Sequence, residues 1–209
     1  MFKSALSGAA FAAMLLYAGA ASAATYDFNA SGPSVSQLTN VAPTSGSGPS
    51  IPTITVTPGA SGIFNFGGAL ITQNANGLGV NGRPDTNPGN IDGFPVFSSE
   101  FLTVTFGWAV NLISFNLGAV DGNDHFDISI NSGAFTNSQT ALASNLVGLN
   151  NVTSFTVRAS GTAFVDGLGN DDFTLRAIQV APVPVPAAFG LLAMALGGLG
   201  LARRGRKAA

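Results

Sequence analysis

The sequence predicts an all-β protein: an antiparallel β-sandwich of jelly-roll type, with an apolar helix at each end of the chain. Three observations carry that expectation. Apolar residues recur with a period of two through the body, and helical periodicity is almost absent there. Gly, Asn, Pro and Ser separate the alternating runs and supply the conformations that hairpin turns need. Sixteen phenylalanines offer enough bulk to fill the space between two sheets.

Met1 to Ala23 reads as a secretory signal peptide. Lys3 is the positive residue, Ala9 to Leu16 the apolar run, and Ala21-Ser22-Ala23 the small-residue cleavage site for signal peptidase. Export is therefore expected, with the mature chain starting at residue 24. The body then runs over 24–182 and a distinct tail over 183–209.

The body is acidic. Arg83, Arg158 and Arg176 stand against all ten carboxylates of the chain, which puts it near −7 although the whole sequence is only −2. On that balance the body is not expected to bind nucleic acid or anionic lipid through its own charge, and cations are the expected counterparts. The absence of cysteine removes disulfides and thiolate chemistry. About 160 residues suffice for one core held by packing alone.

Four runs alternate clearly: Leu102 to Phe106, Phe126 to Ile130, Phe155 to Ala159 and Phe173 to Ala177. Shorter candidates are Tyr26–Phe28, Ile54–Val56, Ile63–Phe66, Ala69–Thr72 and Val110–Leu117. Around ten short strands without crossover helices point to antiparallel pairing. Trp108 is expected in the core with the phenylalanines. Val41 to Pro52 reads as a slack surface segment, and Asn74 to Gly93 as a 20-residue loop rich in Asn and Gly.

A weak internal echo precedes two strands. Val120-Asp121-Gly122-Asn123-Asp124-His125-Phe126 and Val165-Asp166-Gly167-Leu168-Gly169-Asn170-Asp171-Asp172-Phe173 both read V-D-G, then N-D, then Phe. Asp121, Asp124, Asp166, Asp171 and Asp172 could offer oxygens to calcium, which takes six to eight of them from flexible loops. Asp/Asn turns bonded to their own backbone compete with that reading.

Groups fit for catalysis are scarce, and no enzymatic activity is expected. His125 is the only histidine and is read as a solvated turn residue; Glu100 is the only glutamate and is read as a solvated strand end. No G-x-S-x-G elbow and no glycine-rich phosphate loop occurs. A two-carboxylate glycosidase would need Glu100 beside an aspartate.

The tail opens on Val183-Pro184-Val185-Pro186-Ala187. Ala187 to Ala202 is uncharged, about 24 Å of helix, slightly short of a ~30 Å hydrocarbon core. Arg203, Arg204, Arg206 and Lys207 follow, and such side chains can snorkel to the headgroups and hold the C-terminus on the cytoplasmic side. This order of proline motif, apolar run and basic end resembles the PEP-CTERM class of bacterial sorting signals in its VPLPA-CTERM variant. Position 185 is Val, where those patterns carry Glu or Leu. Asn76-Gly77-Leu78-Gly79-Val80, Ile91-Asp92-Gly93 and Glu100-Phe101-Leu102 likewise resemble a pattern of PEP-CTERM passenger domains. The resemblance implies transient retention in the inner membrane, cutting by an exosortase near 183–187, and delivery to the cell surface or extracellular matrix. The expected role is a non-catalytic, structural or adhesive one, with extracellular polysaccharide as a partner. A calcium-dependent carbohydrate-binding module is the alternative, and a glycan-active enzyme the third reading.

Overall fold

The computed structural model describes residues 22–46, 51–61, 68–82, 87–94, 98–136, 139–141, 145–160, 171–183 and 195–196. Twelve strands run through them: β1 (Ala24–Asp27), β2 (Gly32–Val35), β3 (Leu38–Val41), β4 (Ile54–Ser61), β5 (Leu70–Asn74) and β6 (Gly77–Asn81). β7 (Ile91–Phe94), β8 (Ser98–Gly118), β9 (His125–Ile130), β10 (Gln139–Thr140), β11 (Asn145–Ala159) and β12 (Asp171–Pro182) complete the set. The signal peptide before residue 22, the candidate strand 63–66 and Asp166 lie outside the described residues. So does the proposed span 187–202, apart from Ala195 and Leu196, which are helical. Among the described residues no helix is long and apolar enough to cross a membrane.

The protein is all-β and its strands pair antiparallel, as the alternation and turn chemistry require. The 21-residue strand β8 organises the rest. Its first half lies between β4, from Ser61↔Ser99 to Ile54↔Phe106, and β11, from Arg158↔Phe101 to Ser154↔Thr105. Its second half keeps β11 but exchanges β4 for β12, from Pro182↔Val110 to Thr174↔Gly118. β9 and β10 extend the sheet beyond β11, β3 lies outside β4, and β1 and the β6–β5–β2 series lie beyond β12. β7 bridges the starts of β8 and β12 through Gly93↔Ser99 and Phe173↔Ile91. One hydrogen-bonded sheet thus folds back on itself around a single core.

The residues of β8 show why. Leu102, Val104, Phe106, Val110 and Leu112 are buried and share one parity; Phe115 and Leu117 are buried with the other. The register with β12 slips between Val180↔Leu112 and Gln179↔Ser114, so a bulge turns the strand and re-aims its side chains. Phe115 then stands edge-on to Phe126 at 5.3 Å and stacks on Phe155 at 6.0 Å.

Several expectations need correction. Asn74–Gly93 is not a structureless loop: β5 and β6 form a hairpin across Ala75-Asn76, and β7 begins at Ile91. The glycines there permit close backbone contact. A Cβ on Gly79 would lie 2.1 Å from the Gly89 carbonyl oxygen, and one on Gly77 (φ +136°) would lie 2.6 Å from that of Leu175. Val41–Pro52 is docked rather than slack where it is described. Thr44 and Thr25 share a 2.7 Å backbone hydrogen bond, Ile51 is buried, and the Tyr26 hydroxyl donates to the Pro52 carbonyl. Burial pushes that phenol up to about 12. β9 is buried on both faces: on its polar side Asp127 meets Arg158 of β11, and Ser129 Oγ donates to the Gly133 carbonyl of the 131–136 segment at 2.6 Å. Asn131 and Ser132 take left-handed φ values of 50° and 59°, closing a turn in which Gly133 N–H donates to Ile130 at 2.8 Å. Trp108 is 49 % exposed and is not a core residue.

Candidate functional site

The carboxylates singled out in the sequence gather where β12 begins. Asp124, fully buried after the turn that leads into β9, accepts the Asp121 N–H at 2.6 Å and the Asp172 N–H at 3.0 Å. Asp171 accepts the His125 N–H at 3.0 Å. Asp172 accepts from the side-chain amides of Asn90 at 3.1 Å and Asn87 at 3.2 Å. Asp121 in turn accepts the Asn123 N–H at 3.1 Å. Four of the five expected residues therefore converge, and Asp166 lies outside the described residues. The cause is local: a Gly-Asn turn brings Asp121 and Asp124 within one loop, and Asp124 ties that loop to the first residues of β12.

The oxygens of Asp124 and Asp172 thus face N–H donors. Burial, partly offset by those two backbone N–H groups, raises the affinity of Asp124 for its proton above the ordinary aspartate range. Among the described residues no group of three or more acidic or histidine side chains is arranged to hold a metal ion. The geometry seen is that of carboxylates stitching two loops together. His125 belongs to the same knot: its Nδ1 lies 2.8 Å from the Asn123 carbonyl and 3.8 Å from Asp171 Oδ1, with one fifth of the side chain exposed. It is thus held in place, not the solvated turn residue expected.

Sequence reasoning missed a second cluster beside the first. Glu100, expected at a solvated strand end, is 1 % exposed, and Asp92 is 3 % exposed. Glu100 Oε1 accepts the Gly82 N–H at 2.6 Å and Oε2 the Asp92 N–H at 3.2 Å. The Glu100 carboxyl also hydrogen-bonds the Asp92 carboxyl, and burial first, then that pairing, pushes it up to about 10. Glu100 is therefore a neutral acid near pH 7. Asp92 is directly opposite Asp172 across the β7–β12 pair, so the two clusters adjoin. A strand-end glutamate gave no signal for this, since its cover comes from Gly82 and β7. The one clue was Gly82 itself: a Cβ there would meet Glu100 Oε1 at 2.6 Å.

A third acid is paired conventionally. Asp127 on β9 is buried and meets the guanidinium of Arg158 on β11 at 2.8 Å, and Arg158 lies 3.9 Å above the Phe135 ring. Comparison of the chain with protein-family models, with curated proteins and with solved structures finds no match.

Proposed function

We propose that this chain is an exported, non-catalytic protein of the cell surface or extracellular matrix, sorted by an exosortase through residues 183–209. In this reading the body is a jelly-roll sandwich with a structural or adhesive role among extracellular polysaccharide. The observation that carries it is where the last described strand ends relative to the proline motif. The last strand finishes at Pro182, one residue before Val183-Pro184-Val185-Pro186-Ala187, and the described core is drawn from residues 24–180. In sequence, the proline motif, the apolar run 187–202 and the basic residues 203–207 follow that strand directly. Signal peptidase would cut after Ala23, and the inner membrane would hold the tail until cleavage. Intact-mass measurement of protein recovered from the matrix tests this. The expected product has lost residues beyond the 183–187 region; a product still carrying Arg203 to Lys207 would leave a tail-anchored protein instead.

The absence of catalysis is supported by how the scarce acid–base groups are used. Glu100 is sealed against Asp92, and His125 is tied into a turn. Polysaccharide turnover by the protein, abolished in Glu100→Gln, would reverse this reading.

A second reading, a calcium-dependent carbohydrate-binding module, rests on Asp121, Asp124, Asp171 and Asp172 lying in two loops that Asp124 and Asp171 tie together through backbone N–H groups. Melting curves in calcium, magnesium, EDTA and sodium chloride at matched ionic strength decide it. A site confined to the folded state would give calcium a stabilisation of about 2.7 kcal/mol at a hundredfold excess over Kd. Asp124→Asn would abolish that shift. Equal shifts from calcium and salt would leave the loops as turns.

A further inference from the structure

We propose that the body stands end-on at the membrane, and that Trp108 is the side chain through which it contacts the lipid interface. The proposal rests on the reading of the tail as a membrane segment. The rest of it comes from strand register.

β1 and β12 are antiparallel with Ala24 opposite Val180. The mature N-terminus and the start of the tail therefore leave the fold at the same end, and β12 makes its last pair there, Pro182↔Val110. Trp108 is two residues further along β8 in the direction the tail leaves, roughly 7 Å beyond that pair. It sits where β8 changes partners. The last pair with β4 is Ile54↔Phe106 and the last with β12 is Pro182↔Val110. Opposite β11, the four residues 106–109 face the single residue Thr153 between Thr105↔Ser154 and Val110↔Val152. By parity Trp108 should point inward with Phe106 and Val110; the bulge instead turns its ring outward, leaving it 49 % exposed. An indole has an apolar body and a polar N–H, the combination that favours the headgroup region of a bilayer.

Charge points the same way. The described residues at this end, 22–26, 44–46, 51–54, 106–112, 149–153 and 178–183, include no charged side chain. The two carboxylate clusters lie at the other end of β12, where Asp171 is eleven residues from Pro182. That is roughly 35 Å along the strand, several times the ~8 Å Debye length at physiological salt. Asp27, exposed at the end of β1, pairs with Ala177, five residues from Pro182 or roughly 17 Å along the strand. That is about two Debye lengths, so the acidity of the body opposes contact between its uncharged end and an anionic leaflet only weakly.

Trp108 is the only tryptophan in the chain, so its own fluorescence reports the contact. Residues 24–209 keep the whole described core, and this chain is reconstituted into phosphatidylethanolamine/phosphatidylglycerol vesicles with and without lipids brominated near the headgroup. The expected result is flotation with the vesicles, a blue-shifted Trp108 emission, and loss of most of that emission to the brominated lipid. In the double variant Trp108→Phe, Asn123→Trp, the tryptophan sits at the acidic end and should stay unquenched. Flotation with unshifted, unquenched Trp108 emission would overturn the proposal while leaving the tail reading intact. Equal quenching at both positions would overturn the end-on orientation. Failure to float would remove the tail reading, and the proposal with it.

Discussion

Replacing Glu100 by Gln should remove a large pH dependence of stability while preserving the fold. In the folded protein the Glu100 carboxyl is pushed up to about 10, whereas in the unfolded chain it titrates near the ordinary glutamate value of 4.5. Between those two values the folded state binds one more proton at this site than the unfolded state. Stability from this group is thus fully present below pH 4.5, falls as pH rises, and is gone once pH passes the folded value. One proton corresponds to about 1.4 kcal/mol per pH unit, so the wild type should lose roughly 4 kcal/mol between pH 5 and pH 8 through Glu100 alone. Gln keeps the oxygen that accepts the Gly82 N–H and its amide can donate to the Asp92 carboxyl without any proton to lose, but the Asp92 N–H loses the acceptor it has in Oε2. At pH 5 Glu100→Gln should be the less stable by about 1–3 kcal/mol, the cost of leaving the buried Asp92 N–H without its acceptor. By pH 8 Glu100→Gln should be the more stable. Urea denaturation at pH 5, 6, 7 and 8 measures this, and an unchanged m-value shows that the same surface unfolds. Parallel pH profiles for wild type and variant would refute the shared-proton account. Asp124, raised in the same direction by its burial, contributes a slope of the same sign to both proteins and cancels in the comparison.

The other packing claims are as easily tested. Arg158→Met leaves Asp127 buried without its guanidinium partner, and should cost about 3 kcal/mol by thermal or urea denaturation; adding Asp127→Asn should restore part of that loss, and no recovery would argue against the ion pair as the cause. Gly79→Ala drives a methyl into the Gly89 carbonyl and should destabilise by about 1–3 kcal/mol or more. Gly122→Ala, with nothing within 4 Å, should melt within about 0.5 kcal/mol of wild type. Similar losses at both glycines would show that backbone contact is not what Gly79 provides.

The alternation of apolar and polar residues was enough to place β1, β4, β5, β9, β11, β12 and both halves of β8, because a strand half-buried on one face leaves a period of two in its own sequence. The V-D-G…N-D echo singled out Asp121, Asp124, Asp171 and Asp172, but only the Asp121–Asp124 turn is local; the contacts that join it to Asp171 and Asp172 span 46 and 48 residues. What period two cannot encode is cover supplied by distant chain. Asp127 and Ser129 look solvent-facing in β9, yet both are buried, Asp127 against Arg158 and Ser129 against the Gly133 carbonyl. Glu100 looks like an exposed strand end until Gly82 and Asp92, 18 and 8 residues away, close over it. Asn74 to Gly93 reads as a loop by composition, but its glycines are there because backbones approach closely, which only the neighbouring chain reveals. Trp108 shows the same limit in reverse. Its parity points inward, and only the exchange of β4 for β12 along β8, a matter of which strands pair and where, turns it out to solvent. Side-chain period is a property of one strand, whereas burial, shared protons and exposure at a bulge belong to contacts between residues far apart in the chain.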